Sequence, residues 1–309
     1  MSIKDEKGIA LILVLVVIVL LVSLVVDFSY TMRVDLTLAA NFRDETKALY
    51  VARSGAETAR LLLKEDDPAY DGLDEEWAHF NEHPGFISED DEGRFKGALE
   101  DEASKIAINN IVTDEGSYNQ LERLFRLLEM DPDLLDPILD WLDPDNEQSP
   151  LGAEDPYYQG LSPPYPCKDG PLATLEELLL VKGMTEEILY RAEGGKGLIH
   201  YLTIYSEGKV NINTASSIVL QSLSDEIDEG LAQAIIAYRQ EEPFKEISEV
   251  KNVSGMTEEV YSEVSPYITT KSSTFSLRIE GQVRGIKKKI SAVLERAGED
   301  VKQIFWRVE

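Results

Sequence analysis

The stretch DEKGIALILVLVVIVLLVSLVVDF, residues 5–28, decides how this chain of 309 residues is organised. From Ile9 to Val26 it runs for eighteen residues without a charge. At about 1.5 Å per residue, that length approaches the roughly 30 Å hydrocarbon core of a bilayer. A secretory signal peptide has a shorter apolar stretch followed by a small-residue cleavage site, and the residues that follow Val26 offer no such site. The stretch therefore predicts a membrane-spanning helix.

Charge predicts the orientation of that helix and excludes some partners. Lys4 and Lys7 are the only cations before the span. Because positive residues favour the cytoplasmic side, the N-terminus is predicted to be cytoplasmic and the chain after Asp27 to lie across the membrane. The formal net charge of -28 argues against nucleic acid and anionic lipid surfaces as partners, since a polyanionic protein is repelled by both.

The helix is predicted to continue far beyond the membrane. Between Ile9 and Asp67 there is no proline and one interior glycine, Gly55, so nothing breaks a helix before Pro68. A helix of about 56 residues would be roughly 80 Å long, with its second half packed on a globular domain. A stripe of apolar residues at helical spacing marks the face that would be buried. The stripe comprises Leu38, Phe42, Leu49, Ala52, Ala56, Ala59 and Leu63.

Strand patterns flank a long helical region. GRFKGALED (93–101) and SKIAINNIV (104–112), with turn residues between them, predict an antiparallel hairpin. Residues 274–309 predict three successive strands by period-two placement of apolar residues. The sequence thus predicts an α+β fold in which a helical domain is inserted into a sheet domain. The period-two residues are Phe275, Leu277 and Ile279, then Ile290, Ala292 and Leu294, then Ile304, Trp306 and Val308.

The helical region contains an internal repeat. GMTEE occurs at 183–187 and again at 255–259, and Thr185 and Thr257 are predicted to cap helices that begin with glutamates. The order of short helices from 210 to 268 resembles a helix-hairpin-helix unit of DNA receptors. Such units hold phosphates with backbone amides and cations, whereas the hairpin here, SDEIDEG (224–230), carries four carboxylates. The unit is therefore predicted to be a packing scaffold that binds no DNA.

Candidate metal ligands lie in the segment DWLDPDNEQSPLGAEDPYY, residues 140–158. Asp143, Asp145 and Glu147 stand at every second position, and Glu154 and Asp155 follow. Carboxylates that converge on a turn suit calcium, which accepts six to eight oxygen ligands in irregular geometry, while zinc would need Cys or His nearby. The alternative is a solvated acidic loop. No nucleophile elbow, zinc-protease motif or phosphate loop occurs in the sequence, so no catalytic residue and no enzyme activity is predicted.

Blocks in fixed order along nearly the whole chain carry a family resemblance. They are KGIALILVLVVIVLLV, ALYVARSGAETA, DEASKIAINN, ILDWLDPDNE, GAEDPYY, LATLEELLLVKGMTEE and GKVNINTASSIVLQSL. In these blocks the sequence resembles the general secretion pathway protein K family, minor pseudopilins of type II secretion systems. The resemblance implies a pseudopilin fold, a long N-terminal helix packed on an antiparallel sheet, with a large inserted all-α domain. It also implies a single-pass protein of the bacterial inner membrane with a periplasmic domain.

The resemblance further implies site residues, partners and a role. A prepilin peptidase would cut after Gly8 and leave Ile9 as the mature N-terminus. Most pseudopilins carry glutamate at the fifth mature position, where it pairs with a neighbour's N-terminal amine. Leu13 stands there in this chain, and the lack of the acid suits a subunit at the tip, because an unpaired charge in the membrane is costly. The implied role is to nucleate the pseudopilus with other minor pseudopilins through the long helix and to support export of folded proteins.

Secreted substrates and the outer-membrane channel are further implied contacts, and calcium is implied in the inserted domain. A type IV pilus minor pilin and a membrane-anchored helix-hairpin-helix DNA receptor remain the alternatives. The predicted division of the chain is a leader at 1–8, a transmembrane segment at 9–26, the periplasmic part of the long helix at 27–64, a loop and first strands at 65–113, the inserted helical domain at 114–272 and C-terminal strands at 273–309.

Overall fold

The long N-terminal helix dominates the fold. A computed structural model describes residues 3–66, 69–82, 93–190, 195–298 and 300–309. Helix α1 runs without a break over Ile3–Glu65, 63 residues. Its N-terminal part is long and apolar enough to cross a membrane, and none of its most apolar stretch is buried inside the protein. The predicted continuous helix is confirmed. It runs unbroken because no proline interrupts it.

The C-terminal part of α1 packs on an antiparallel sheet of four strands in the order β1-β6-β7-β8. The strands are β1 (Gly93–Asp101), β6 (Thr274–Val283), β7 (Ile286–Ala297) and β8 (Asp300–Val308). The three predicted C-terminal strands are confirmed. A bulge between Val293 and Leu294 shifts the register of β8 and skips Ile304, which is exposed, while Val301 is buried beyond the shift. Val308 pairs with the buried Ile290 but is itself exposed.

Only part of the predicted stripe on α1 is buried. Leu38 is 61 % and Phe42 is 74 % exposed, because the sheet begins to cover α1 only beyond them. Leu49 is partly buried. The face that packs on the sheet consists of Ala48, Val51, Ala52, Ala56, Ala59 and Leu63.

The predicted hairpin after β1 is wrong. β1 pairs with β6 along its whole length. Asp101 then caps a short 3-10 turn by accepting a hydrogen bond from the Ala103 amide at 2.7 Å, and this turn redirects the chain. The next strand, β2 (Ile106–Ala107), pairs in parallel with β3 (Leu202–Thr203) in a separate sheet.

Residues after Asp101 belong to the core of the helical region. Ile106, Ile108 and Ile111 pack in that core rather than with the sheet, so the part of the sheet domain predicted to reach residue 113 ends earlier, at Asp101. The short strands β4 (Val210–Asn211) and β5 (Ile268–Thr269) pair in parallel and bring the two ends of the helix-hairpin-helix unit together. The helices are α2 (Glu115–Leu127), α3 (Leu135–Leu142), α4 (Asp155–Tyr158), α5 (Glu186–Tyr190), α6 (Ser217–Ser222), α7 (Glu229–Glu241) and α8 (Glu258–Val264).

The two GMTEE copies form the same local structure. The Thr185 hydroxyl accepts a hydrogen bond from the Ile188 amide, and Thr257 caps α8 by accepting one from Val260. Gly183 and Gly255 precede these helices with φ of +83° and +95°, a conformation that glycine adopts without steric cost. The predicted caps are confirmed.

The sheet and the helical region meet at a buried polar junction. The Asp101 carboxylate accepts hydrogen bonds from Thr214, Ser272 and Asn211 as well as from the Ala103 amide. Burial raises its pKa, while these four donors oppose the shift. Asp71 extends the junction, because its carboxylate accepts from the Ser272 amide at 2.7 Å and pairs with Arg296 at 2.8 Å. Chain segments that are far apart in sequence are therefore joined at one place.

Candidate metal centre and assembly helix

Three acidic side chains of the loop that joins α3 to α4 converge on one point. Asp143 follows the last residue of α3, and Glu154 precedes the first residue of α4. Carboxylate oxygens of Asp143, Asp145 and Glu154 lie within 4.8 Å of one another. Calcium binds carboxylate oxygens at roughly 2.4 Å, so one ion could contact all three groups.

Asp169 approaches the same centre from a distant loop. A carboxylate oxygen of Asp169, one of Glu154 and the Cys167 sulfur also lie within 4.8 Å of one another. Asp169 has a φ of +49°, which places it in the sparsely populated left-handed region. Burial is the main cause that raises the pKa of Glu154, and the charge of Asp169 adds to it. Glu154 is thus common to both groups and lies at the middle of the centre.

Several oxygens of this centre are buried and lack a hydrogen-bond partner. They are both carboxylate oxygens of Glu154, one oxygen of Asp143 and one of Asp169. Burial, and next the negative charges of Asp140, Asp143 and Asp169, raise the pKa of Glu154 to about 7. Burial and the neighbouring carboxylates also raise the pKa of Asp143. Buried, unpaired carboxylates are costly, and a bound cation would satisfy them.

The donor set fits a hard cation. Burial raises the pKa of the Cys167 thiol to about 12, so the sulfur stays protonated and offers no thiolate to zinc or another soft metal. The remaining groups are carboxylate oxygens in irregular geometry, which calcium accepts more readily than magnesium does. The residues present therefore fit calcium.

Two of the five predicted ligands do not converge with the others. Glu147 is exposed, and its backbone amide donates to Asp145. The Asp155 carboxylate accepts a hydrogen bond from the Cys167 amide at 2.8 Å and so fixes the loop that carries Asp169. Neither residue belongs to a cluster of converging ligand atoms in the described part of the chain. Sequence reasoning missed Asp169, whose only local sign is its place in the turn-forming run KDGP.

A close approach of the backbone at Gly152 positions the centre. Asp140 is fully buried, and its carboxylate accepts a hydrogen bond from the Ser149 amide. A Cβ atom at Gly152 would lie 1.9 Å from an Asp140 oxygen. Only glycine therefore lets the loop before Glu154 cross the end of α3.

Aromatic rings pack α3, α4 and the loop after α4 against one another. Trp141 packs edge-on against Tyr158 at 5.0 Å between ring centroids, and Tyr165 packs on both rings. Lys182 lies over the Tyr157 ring and donates hydrogen bonds to the carbonyl oxygens of Leu151 and Gly152. This packing fixes the loop that delivers Glu154.

The second functional surface is the uncovered length of α1. Gly8, Ile9 and Leu13 lie on this helix and are exposed, so nothing in the described chain covers the predicted cleavage site or the fifth mature position. Beyond the span, large apolar side chains on α1 remain exposed and are available to neighbouring helices. They are Phe28, Tyr30, Met32, Val34, Leu36, Leu38, Phe42 and Tyr50.

The carboxylates of the acidic hairpin between α6 and α7 form ion pairs and a helix cap within the protein. Asp225 pairs with Arg123 and Arg126, each at 3.0 Å, and hydrogen bonding to Arg123 lowers the pKa of Asp225. Asp228 caps α7 by accepting a hydrogen bond from the Leu231 amide. Carboxylates therefore occupy the position at which a DNA-binding hairpin presents amides to a phosphate.

A membrane-length helix packed on an antiparallel sheet, with its apolar outer face uncovered, defines the class of pseudopilin-like assembly subunits. Comparison with known proteins agrees with this class. The model of the family described as type II secretion system (T2SS), protein K matches residues 104–194, and the model of the helix-hairpin-helix motif matches residues 206–269. Type II secretion system protein K of Aeromonas hydrophila is 25 % identical over 333 residues, which cover 99 % of this chain and 97 % of that protein.

A solved structure has the same fold. The match is in the crystal structure of the GspK-GspI-GspJ complex from the type 2 secretion system of enterotoxigenic Escherichia coli, with a TM-score of 0.70 and 19 % identity. It covers 88 % of this chain and 99 % of the matched chain. In sequence and in fold the chain is similar to the type II secretion system protein K family of minor pseudopilins, whose members are structural components of the secretion machinery. The alternatives of a type IV pilus minor pilin and a DNA receptor are not favoured.

Proposed function

We propose that this protein sits at the tip of a type II secretion pseudopilus and nucleates its assembly. The observation that carries the proposal is the combination of an uncovered apolar α1 with a large helical region beside the sheet. The apolar face of α1 can pack against neighbouring subunits below, because large exposed apolar surfaces mark contact sites. The bulk of the helical region, by contrast, would obstruct the regular stacking of identical subunits in a shaft.

Leu13 supports a position without a subunit above it. A glutamate at this depth in the membrane would need a cationic partner, since a charged group in lipid is costly. Leu13 is apolar and exposed, so it needs no cationic partner and cannot pair with another subunit's N-terminal amine. A subunit of this kind is suited to the end of the assembly.

The proposed partners are two other minor pseudopilins. The relative of known structure was solved in a complex with GspI and GspJ. By analogy, the exposed apolar side chains from Phe28 to Tyr50 would contact the long helices of the corresponding subunits. The proposed placement is the inner membrane, with the N-terminus in the cytoplasm and the sheet and helical region in the periplasm, because Lys4 and Lys7 precede the span. The proposed role is structural and involves no catalysis.

Co-purification tests the assembly role. The full chain, expressed with the two other minor pseudopilins of the same system, should purify with both in a fixed ratio. Replacing Leu38 and Phe42 with glutamate should release the partners without unfolding the chain, since both side chains are exposed. A matched control that replaces the exposed Lys245 and Lys251 of the helical region with glutamate should keep them. Retention of both partners by the Leu38 and Phe42 variant would count against the proposed interface.

We also propose that a prepilin peptidase cuts between Gly8 and Ile9. The exposure of both residues on the uncovered part of α1 supports access by a membrane-bound peptidase. Intact-mass measurement after co-expression with the peptidase should show loss of the eight N-terminal residues. An unchanged mass in the presence of active peptidase would refute the cleavage.

Calcium is the proposed ligand of the acidic centre. Asp143, Asp145, Glu154 and Asp169 would hold the ion, and the buried, unpartnered oxygens support this assignment. The ion would neutralise converging carboxylates and thereby fix the loops around α3 and α4. Its effect would be on the shape of the helical region.

A further inference from the structure

The outer face of the sheet, which points away from α1, is basic although the whole chain is strongly acidic. Alternate residues of each strand face α1, as the buried Ile279 and Ile290 show, so the residues between them face outward. Those outward positions carry exposed cations on all four strands. They are Arg94, Lys96, Arg278, Lys287, Lys289, Lys302 and Arg307.

The charge of the chain is divided unevenly along the sequence. Residues 102–272 contain 12 Lys and Arg against 32 Asp and Glu. Residues 273–309 contain eight Lys and Arg against five Asp and Glu. The sheet face is therefore a local positive surface beside a strongly negative helical region.

The carboxylates on this face leave part of its positive charge unpaired. Glu280 has a side chain that is 14 % exposed and lies between Lys287 at 3.0 Å and Lys96 at 3.7 Å. Glu100 pairs with Arg278 at 2.8 Å. Glu295 and Asp300 also lie on outward positions, and Glu309 pairs with Arg307 at the chain end.

Lys289 and Lys302 form no ion pair within the described ranges of the chain. An open groove of about 520 Å³ runs across the face and is lined by Lys96, Arg278, Lys289 and Arg307 together with Glu280 and Glu309. In this groove the cations are exposed to a partner, whereas the carboxylates of Glu280 and Glu309 are paired with cations of the same face.

Distance from the membrane argues against anionic lipid as the occupant. The uncharged span ends at Val26, and the sheet meets α1 near Glu45, which lies 3.9 Å from Lys288. Nineteen helical residues separate these points, a rise of about 28 Å. Lipid headgroups would lie well below the basic face, and electrostatic attraction in physiological salt fades over about 8 Å.

We propose that this face docks a carboxylate-rich surface of a separate folded protein. The overall negative charge would repel such a partner from the helical region, while the basic face would attract it, so the field of the molecule would steer the partner to the sheet. Docking at this face is separate from the proposed assembly contact, because the apolar surface of α1 lies below the sheet. Failure of either contact would leave the other intact.

Binding of an acidic probe tests the docking face. The probe is a fluorescein-labelled oligoglutamate peptide, measured by anisotropy with the full chain in neutral detergent at about 50 mM salt. The test variant is Lys287→Glu with Lys289→Glu, and the matched control is Lys245→Glu with Lys251→Glu, which changes the net charge equally on the helical region. The test variant should weaken binding at least about tenfold and the control less than about threefold.

Zero-length carbodiimide cross-linking of the bound peptide should join it to Lys96, Lys287 or Lys289. Equal weakening by the two variants, or cross-links confined to the helical region, would overturn the proposal. Cross-links between this face and the helical region of another copy would identify the occupant as a second copy and also overturn it. Tighter binding of a duplex DNA of similar charge, lost in the same variant, would overturn it in favour of nucleic acid.

Discussion

At the residue scale, Glu154 shows most directly why a cation is expected. Both of its carboxylate oxygens are buried without a hydrogen-bond partner, and burial, followed by the charges of three neighbouring carboxylates, raises its pKa. A protein without a ligand would have to protonate this residue or tolerate its repulsion near neutral pH. A bound divalent ion removes both costs.

Substitution of the converging carboxylates should abolish calcium binding selectively. Glu154→Gln and Asp169→Asn should each weaken calcium binding at least about tenfold in titration calorimetry, because each removes a charged ligand. Glu147→Gln is the matched control and should change the affinity less than about twofold, since Glu147 is exposed and outside the cluster. Equal losses in all three variants would indicate a diffuse acidic surface in place of a site.

Glu75 gives a second residue-scale prediction, on pH. Burial is the main cause that raises its pKa to about 7, and hydrogen bonds from Gly72 and Trp77 oppose the shift. A carboxyl group whose pKa is higher in the folded than in the unfolded state binds more protons when folded. Its contribution to the free energy of unfolding therefore falls as pH rises from about 4.5 to about 7.

The variant Glu75→Gln should remove that contribution while keeping an oxygen to accept both hydrogen bonds. The thermal midpoint of the variant should depend less on pH between about 4.5 and 7 than that of the parent chain. Fluorescence of the buried Trp77 should report the titration in the parent alone. An identical pH profile for the two proteins would contradict a shifted pKa at Glu75.

At the element scale, α1 and β6 approach each other closely enough that their backbones nearly touch. A Cβ atom on Gly281 would lie 2.3 Å from the Ala48 carbonyl oxygen and 2.5 Å from the Ala52 nitrogen. Small residues on both sides thus let the helix lie directly on the sheet. The height and direction of α1 relative to the sheet depend on this contact.

The variant Gly281→Ala should push α1 away from the sheet, because the clashing atoms belong to the helix backbone and cannot rotate aside. We expect a loss of about 3 kcal/mol in the free energy of unfolding measured by urea titration. Ser291→Ala on the outward face of the same sheet is the control and should cost less than about 0.5 kcal/mol. A loss as small for Gly281→Ala as for the control would contradict the tight approach.

The sequence predicts elements better than it predicts contacts between them. The long α1, the three C-terminal strands and the two threonine caps follow from local patterns, namely missing prolines, period-two alternation and helix-start residues. The partner of β1 could not be predicted locally, because β6 lies more than 170 residues away and Asp101 diverts the chain from a hairpin. Asp169 could not be predicted as a ligand either, since its approach to Glu154 depends on tertiary packing.

At the scale of the whole molecule, the Asp101 junction couples the sheet to the helical region. Asp101 ends β1, while its donors come from two other chain segments, one with Asn211 and Thr214 and the other with Ser272. A buried carboxylate with four donors is stabilising only while the donors remain in place. The two regions are therefore expected to unfold together.

The variant Asp101→Asn should uncouple the sheet from the helical region. The amide nitrogen of the asparagine would face hydrogen-bond donors, and it cannot accept their hydrogen bonds. We expect a loss of about 3 kcal/mol and a separation of thermal unfolding into two transitions in calorimetry. The neighbouring variant Glu100→Gln removes an exposed pair with Arg278 and should cost less than about 1 kcal/mol. A single unshifted transition for Asp101→Asn would show that the junction does not couple the regions.

The position of the protein in the assembled pseudopilus distinguishes the proposed tip role from a place in the shaft. Pseudopili assembled with an epitope on this chain, placed at an exposed site of the helical region, can be labelled with gold-conjugated antibody and imaged by electron microscopy. The tip role predicts label at one end of each filament and none along its length. Label distributed along the shaft would contradict the account.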